Sequence, residues 1–166
     1  MSRPPLALAD LVARHRPELL RYLVRLLGDE HDAQDAFQDA CLRAHRAFAR
    51  LVPGSNSRAW LYRIATNCAF THARGRARRR ARTVALDVDG MAAPPGPSPE
   101  QTQDGAVVRR AVQALPPRQR AALMLRQFQG LDYADIARSL GGNEAAARAN
   151  VYQALKKLRA TLGGDR

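Results

Sequence analysis

Residues 131–158, LDYADIARSLGGNEAAARANVYQALKKL, constrain the rest of the chain most, because they read as two helices joined by a turn too short for anything but a bihelical unit. Asp132 is placed to cap the first helix, where Tyr133, Ile136, Ala137 and Leu140 repeat at helical spacing. Gly141-Gly142 then supplies the left-handed backbone that ends it, and Asn143 is placed to cap the second helix. In that second helix Ala147, Val151, Ala154, Leu155 and Leu158 form one apolar stripe, leaving Ala145, Arg148, Ala149, Tyr152, Gln153 and Lys156 on the other side. This is the pattern of a helix-turn-helix whose outer face is free to read DNA. Two short helices across a glycine turn also occur as plain core packing. Charge separates the two readings: Arg148, Lys156, Lys157 and Arg159 are opposed only by Glu144.

The whole chain supports the DNA reading. Its 166 residues suffice for one ordinary domain or two small helical ones, and an apolar fraction of 46% can fill their cores. A net charge of +12 calls for a polyanionic partner, which is nucleic acid or an acidic membrane surface. Against the membrane, Arg14, Arg16, Arg21 and Arg25 interrupt every early apolar run well short of signal or spanning length, so a cytoplasmic protein with no membrane insertion is expected. Cys41 and Cys68 lie on apolar helix faces with no neighbouring cysteine, and both are expected in the core.

Residues 6–27 are predicted helical, with Leu8, Leu11, Val12, Leu19, Leu23 and Leu27 along one side and a kink or restart at Pro17. After Gly28 an acid-led run places Ala33, Phe37, Cys41, Ala44 and Phe48 on one stripe, and Asp32, Asp35, Gln38 and Asp39 on the opposite face. An acidic face on so basic a chain is either simply solvated or a protein-binding surface that avoids competing for DNA. His31, Asp35 and Asp39 also have i, i+4, i+8 spacing, but no second cluster completes a metal site, and none is expected.

Pro53-Gly54-Ser55-Asn56 reads as a turn and Ser57 as the cap of the next helix, whose inner side carries Trp60, Leu61, Ile64, Ala65, Cys68 and Ala69. That helix runs into Arg74, Arg76, Arg78, Arg79, Arg80 and Arg82 without an intervening acid. Such cations beside Asn67, Thr71, His72 and the rings of Tyr62 and Phe70 suit the backbone and bases of single-stranded DNA. Between Thr83 and Val108 there is no Lys or Arg, while four acids and Pro94, Pro95, Pro97 and Pro99 mark a flexible acidic linker. The expected organisation is all-α: a helical domain over residues 1–82, a linker over 83–103, and a helix-turn-helix domain over 104–166 in which Pro117 opens a helix that Gly130 ends.

In the order of these pieces the chain resembles the extracytoplasmic-function sigma factors, the smallest promoter-recognition subunits of the primary-sigma superfamily. The strings that carry the resemblance are DAQDAFQDACLRAHRAF, RAWLYRIATNCA and ALPPRQRAALMLRQFQGLDYADIARSLGGNEAAARANVYQALKKL. It implies that Asp32, Asp35, Gln38 and Asp39 dock on the clamp helices of core RNA polymerase. It implies that Asn67 lies near an extruded minus-ten base, with Asn56 and Ser57 of the 53–57 loop in the same pocket. Tyr62, Arg63, Phe70, Thr71, Arg74, Arg78 and Arg79 would complete the minus-ten contact. Asn143, Arg148, Ala149, Tyr152, Gln153 and Lys156 would meet the minus-thirty-five element, and the acidic linker would thread toward the polymerase cleft. The family's usual aromatic positions hold Cys41 and His45 here, and Asn150 and Gln153 stand where arginines are common.

The resemblance also implies core RNA polymerase and promoter DNA as partners, an anti-sigma protein as regulator, no cofactor and no catalytic residue. An operator-binding helix-turn-helix regulator is the alternative, and it needs a dimerisation element that the few residues after Leu158 do not offer. A nucleic-acid enzyme ranks third, since no Ser-His, Cys-His or carboxylate constellation supplies a nucleophile or an activated water.

Overall fold

The structure, a computed structural model, describes residues 7–84 and 103–163. They form seven α-helices: α1 Leu8–Leu27, α2 Glu30–Ala47, α3 Ser57–Val84, α4 Gln103–Gln113, α5 Pro117–Gln127, α6 Tyr133–Leu140 and α7 Glu144–Gly163. One 3-10 turn, Phe48–Arg50, follows α2, and no strand occurs among the described residues. The fold is two small helical domains, α1–α3 and α4–α7, as the apolar periodicities imply.

Local chemistry sets most helix ends. Asp29 accepts the Asp32 amide at 2.9 Å to start α2, Asp132 accepts the Asp135 amide at 2.8 Å to start α6, and Asn143 accepts the Ala146 amide at 2.8 Å to start α7. Gly141 takes the left-handed conformation that ends α6 (φ 71°), whereas Gly142 does not. The cap of α3 is Asn56 and not Ser57, because the Asn56 side-chain oxygen accepts the Ala59 amide at 3.1 Å. Pro17 does not restart a helix: α1 runs from Leu8 to Leu27 through it, losing one backbone donor but keeping its buried face of Leu11, Leu19, Tyr22, Leu23 and Leu26. α3 extends through Thr83, whose hydroxyl donates to the Arg79 carbonyl, and α4 opens at Gln103. Of the expected linker, residues 85–102 lie outside the described residues.

The packing adds something that periodicity did not predict, since the two domains share one core. Leu19, Tyr22, Leu23, Leu26, Phe37 and Tyr62 of the first domain are continuous with Ala122, Leu125, Leu131, Ile136, Leu140 and Val151 of the second. Burial of so many large apolar side chains, each contributing about 1.5–3 kcal/mol, stabilises the two domains against one another as well as within themselves. Cys68 belongs to this core and burial raises its thiol above the usual range. Cys41 is only half-buried, so it is a lining residue of a surface groove with Arg16, Leu20 and Phe37 and not the core residue expected.

Candidate polymerase and promoter interfaces

The acidic face of α2 is divided by its partners. Asp32 pairs with Arg76 at 2.6 Å and Asp39 with His72 at 2.7 Å, both across to α3. Asp35 and Gln38 are exposed. Two of the four side chains matched to polymerase docking therefore also tie α2 to α3, and Arg76 is withdrawn from the cationic run.

On α3, Arg63, Asn67, Thr71, Arg74, Arg78 and Arg79 are exposed and Phe70 is half-buried against the core. Thr71 donates its hydroxyl to the Asn67 carbonyl, which leaves the Asn67 amide free of that bond. Tyr62 departs from the expectation that its ring is offered to bases. It is wholly buried, meets Tyr22 edge to face at 5.2 Å, and donates its hydroxyl to the Gln129 side chain at 2.7 Å. Burial drives its phenol far above the usual range. The Thr66 hydroxyl donates to the Tyr62 carbonyl, so its oxygen accepts from Tyr22 and closes a buried polar chain.

The 53–57 loop abuts the second domain. Asn56 is exposed, yet its amide donates to the Asp135 carboxylate at 3.0 Å; Ser57 is half-buried. Next to them Arg58 donates to Glu18 at 3.0 Å and to the Gln129 carbonyl at 2.8 Å, with its guanidinium over the Tyr62 ring. Burial pushes the Glu18 carboxyl up, but hydrogen bonds from Arg58 and His15 outweigh it and hold the group below its usual range. A cleft of about 550 Å³ opens at this seam, lined by Arg50, Trp60 and Arg63 on one side and Asp135 and Arg138 on the other. A second latch lies at the far end of α1. Arg120 donates to the Leu26 carbonyl across the seam and to the carbonyls of Val112, Gln113 and Leu115. Gln113 donates to the Arg25 carbonyl at 2.6 Å.

Glu18, Arg58, Gln129 and Asp135 were not singled out by sequence reasoning. A buried glutamine after a helix end carries no periodic or motif signal, and an aspartate in the first turn of α6 reads as an ordinary dipole partner.

On α7 the outer face is open: Asn143, Arg148, Ala149, Tyr152, Gln153 and Lys156 are all exposed, with Tyr152 at 61%. Asn143 is partly committed as the helix cap. Arg148 lies 5.0 Å from the Tyr133 ring centre and 3.4 Å from Glu144. The arrangement offers a donor fork, an amide, a phenol and a methyl group along one ridge, the complement a major groove requires.

Residues 11–79 match the family model of sigma-70 region 2, and residues 106–158 match that of sigma-70 region 4. The chain is 34% identical over 154 residues to the ECF RNA polymerase sigma factor SigE of Mycolicibacterium smegmatis, covering 90% of this chain and 59% of that protein. It is 33% identical over 162 residues to the RNA polymerase sigma-H factor of Pseudomonas aeruginosa, covering 92% of this chain and 84% of that protein. Among solved structures, the sigma factor RpoE of Bartonella quintana, in complex with the anti-sigma factor NepR, superposes with a TM-score of 0.77 at 25% identity, covering 95% of this chain and 98% of that one. The chain belongs to the extracytoplasmic-function family of RNA polymerase sigma factors, the proteins through which bacterial polymerase recognises promoters. No helix among the described residues is long and apolar enough to cross a membrane.

Proposed function

We propose that this chain docks on core RNA polymerase through the exposed side of α2, captures unpaired minus-ten bases along α3 and reads the minus-thirty-five duplex with α7. Residues 1–82 and 104–166 are the two working units, joined through 83–103. The observation that carries this reading is the presence of two separate cationic faces on one short chain. The α7 ridge is shaped for a duplex groove, and α3 continues past Asn67 into exposed Arg74, Arg78 and Arg79. An operator-binding regulator needs only the first. A factor that also melts promoters needs the second, where flipped bases and a single-strand backbone are held. Melting is then driven by binding, without catalytic residues, in the cytoplasm where the polymerase works.

The seam bears on how this happens. Asn56 and Tyr62, both matched to the minus-ten contact, are bonded to Asp135 and Gln129 of the other domain. Promoter engagement by these side chains therefore requires the domains to part. The 18 residues from 85 to 102 span at most about 60 Å when extended, ample for separation. An anti-sigma protein is the regulator this reading implies, and the RpoE relative is itself in complex with the anti-sigma factor NepR.

Permanganate footprinting tests the proposal. Core polymerase plus this chain should expose unpaired thymines around the minus-ten element of a target promoter, and core alone should not. Binding to duplex DNA with no thymine reactivity at any promoter would favour the operator regulator.

A further inference from the structure

Resting on the reading of α7 as the duplex-contacting helix, we propose that Tyr133 of α6 is a positioning residue for base discrimination, holding the Arg148 guanidinium in the orientation from which it reads a guanine. Arg148 is the one residue of the exposed α7 ridge with a planar donor fork. An unrestrained arginine on a helix surface would give up much of its rotamer freedom on meeting a base, at a cost to affinity and to selectivity.

Two partners restrain it, and they differ in kind. Glu144, one turn back on α7, approaches an Arg148 terminal nitrogen at 3.4 Å, and both side chains are more than half exposed. Such a pair is weak, and it occupies an N–H edge that a guanine needs. The Tyr133 ring, with its centre 5.0 Å from the Arg148 guanidinium carbon, engages the guanidinium through the π-face. A guanidinium lying flat on that face keeps its in-plane N–H donors available. Tyr133 therefore orders the arginine without consuming the groups that recognise the base, whereas Glu144 competes with the base for them.

The ring is itself well fixed. Tyr133 is the first residue of α6, next to the Asp132 cap, and packs half-buried against the main core. A second guanidinium, that of Arg126, lies 4.5 Å from the same ring centre and is tied to the Leu131 carbonyl at 3.1 Å. The start of α7 is fixed in turn by Asn143. The separation of Tyr133 and Arg148 is thus set by two capped helix starts across one tight turn, which makes the ring a stable platform.

The test uses holoenzyme carrying the full chain on a panel of promoters that differ by single bases in the minus-thirty-five element. Arg148→Ala should flatten preference at one guanine position. Tyr133→Leu should reduce preference at that same position about two- to fivefold, the range a surface cation–π contact corresponds to. Tyr133→Phe should retain it, and adding Tyr133→Leu to Arg148→Ala should cost nothing further there. If Tyr133→Leu weakens every promoter equally, or Tyr133→Phe loses the preference as well, the positioning role is overturned while α7 keeps its assignment. If Arg148→Ala leaves all preferences unchanged, the base-reading assignment of Arg148 fails and this proposal with it. One measurement needs no variant: Arg148 δ-methylene protons in the wild-type chain should show a ring-current displacement, and its absence overturns the proposal.

Discussion

Asn56, ahead of α3, donates its side-chain amide to Asp135 of α6 at 3.0 Å, so a residue matched to base capture is held by the domain matched to duplex recognition. The same asparagine caps α3 through its oxygen, and Asp135 also pairs with Arg138 at 2.8 Å. Replacing the carboxylate removes the seam bond and leaves the cap intact. Asp135→Ala should therefore lower stability by about 1–3 kcal/mol, enlarge the radius of gyration in small-angle scattering, and raise affinity for single-stranded minus-ten DNA. An unchanged radius with unchanged DNA affinity would remove the seam from the account.

Arg120 is the stronger structural latch. Its guanidinium satisfies the carbonyls of Leu26, Val112, Gln113 and Leu115, and burial lowers its affinity for the proton. Arg120→Met, which keeps the aliphatic stem, should destabilise by about 2–4 kcal/mol, because the carbonyls lose their donor together. Urea midpoints at constant slope check this, and a shift of less than a few tenths of a molar would show that water takes over the guanidinium's role.

The Glu18 carboxylate has a depressed folded-state pKa, so its contribution is present above the ordinary carboxylate value of 4.5 and is lost as pH falls through and below it. The Tm gap between wild type and Glu18→Gln should be open at pH 7 and close toward pH 3. A gap that is constant with pH would mean that the Arg58 pair contributes through shape alone.

Much of this was legible in the sequence. The helix-turn-helix was readable because Asp132, Gly141 and Asn143 act locally and because Val151 and Ala154 fall at strict helical spacing. The α2 stripe was readable for the same reason, with Ala33, Phe37 and Ala44 buried and Cys41 and Phe48 half-buried. What stayed hidden depends on contacts far apart in the chain. Tyr62 reads as an aromatic beside a cationic run, and only the approach of Tyr22, 40 positions before it, and Gln129, 67 positions after it, makes it a core residue. Likewise Asp32 and Asp39 read as half of an open acidic face until α3 brings Arg76 and His72 against them. Helix periodicity reports which side is buried; it is silent on which exposed charge meets another.

That division predicts unequal behaviour along the acidic face. Asp35 is exposed, so Asp35→Lys should weaken binding to core polymerase at least tenfold, about 1.4 kcal/mol, while leaving Tm unchanged. Asp32→Lys should do both, because it also places a cation against Arg76. Surface-binding assays on immobilised core, run beside thermal melts, would distinguish them; equal Tm losses for the two variants would contradict the division.

The central claim is that the chain is a promoter-directing subunit of polymerase, and it is tested most directly by transcription from genomic fragments with purified core polymerase, in the presence and absence of this protein. The account predicts specific start sites that appear only when the protein is added and that disappear with Asp35→Lys. Transcript patterns identical with and without it, together with dimeric binding to two-fold operator duplexes, would contradict the account.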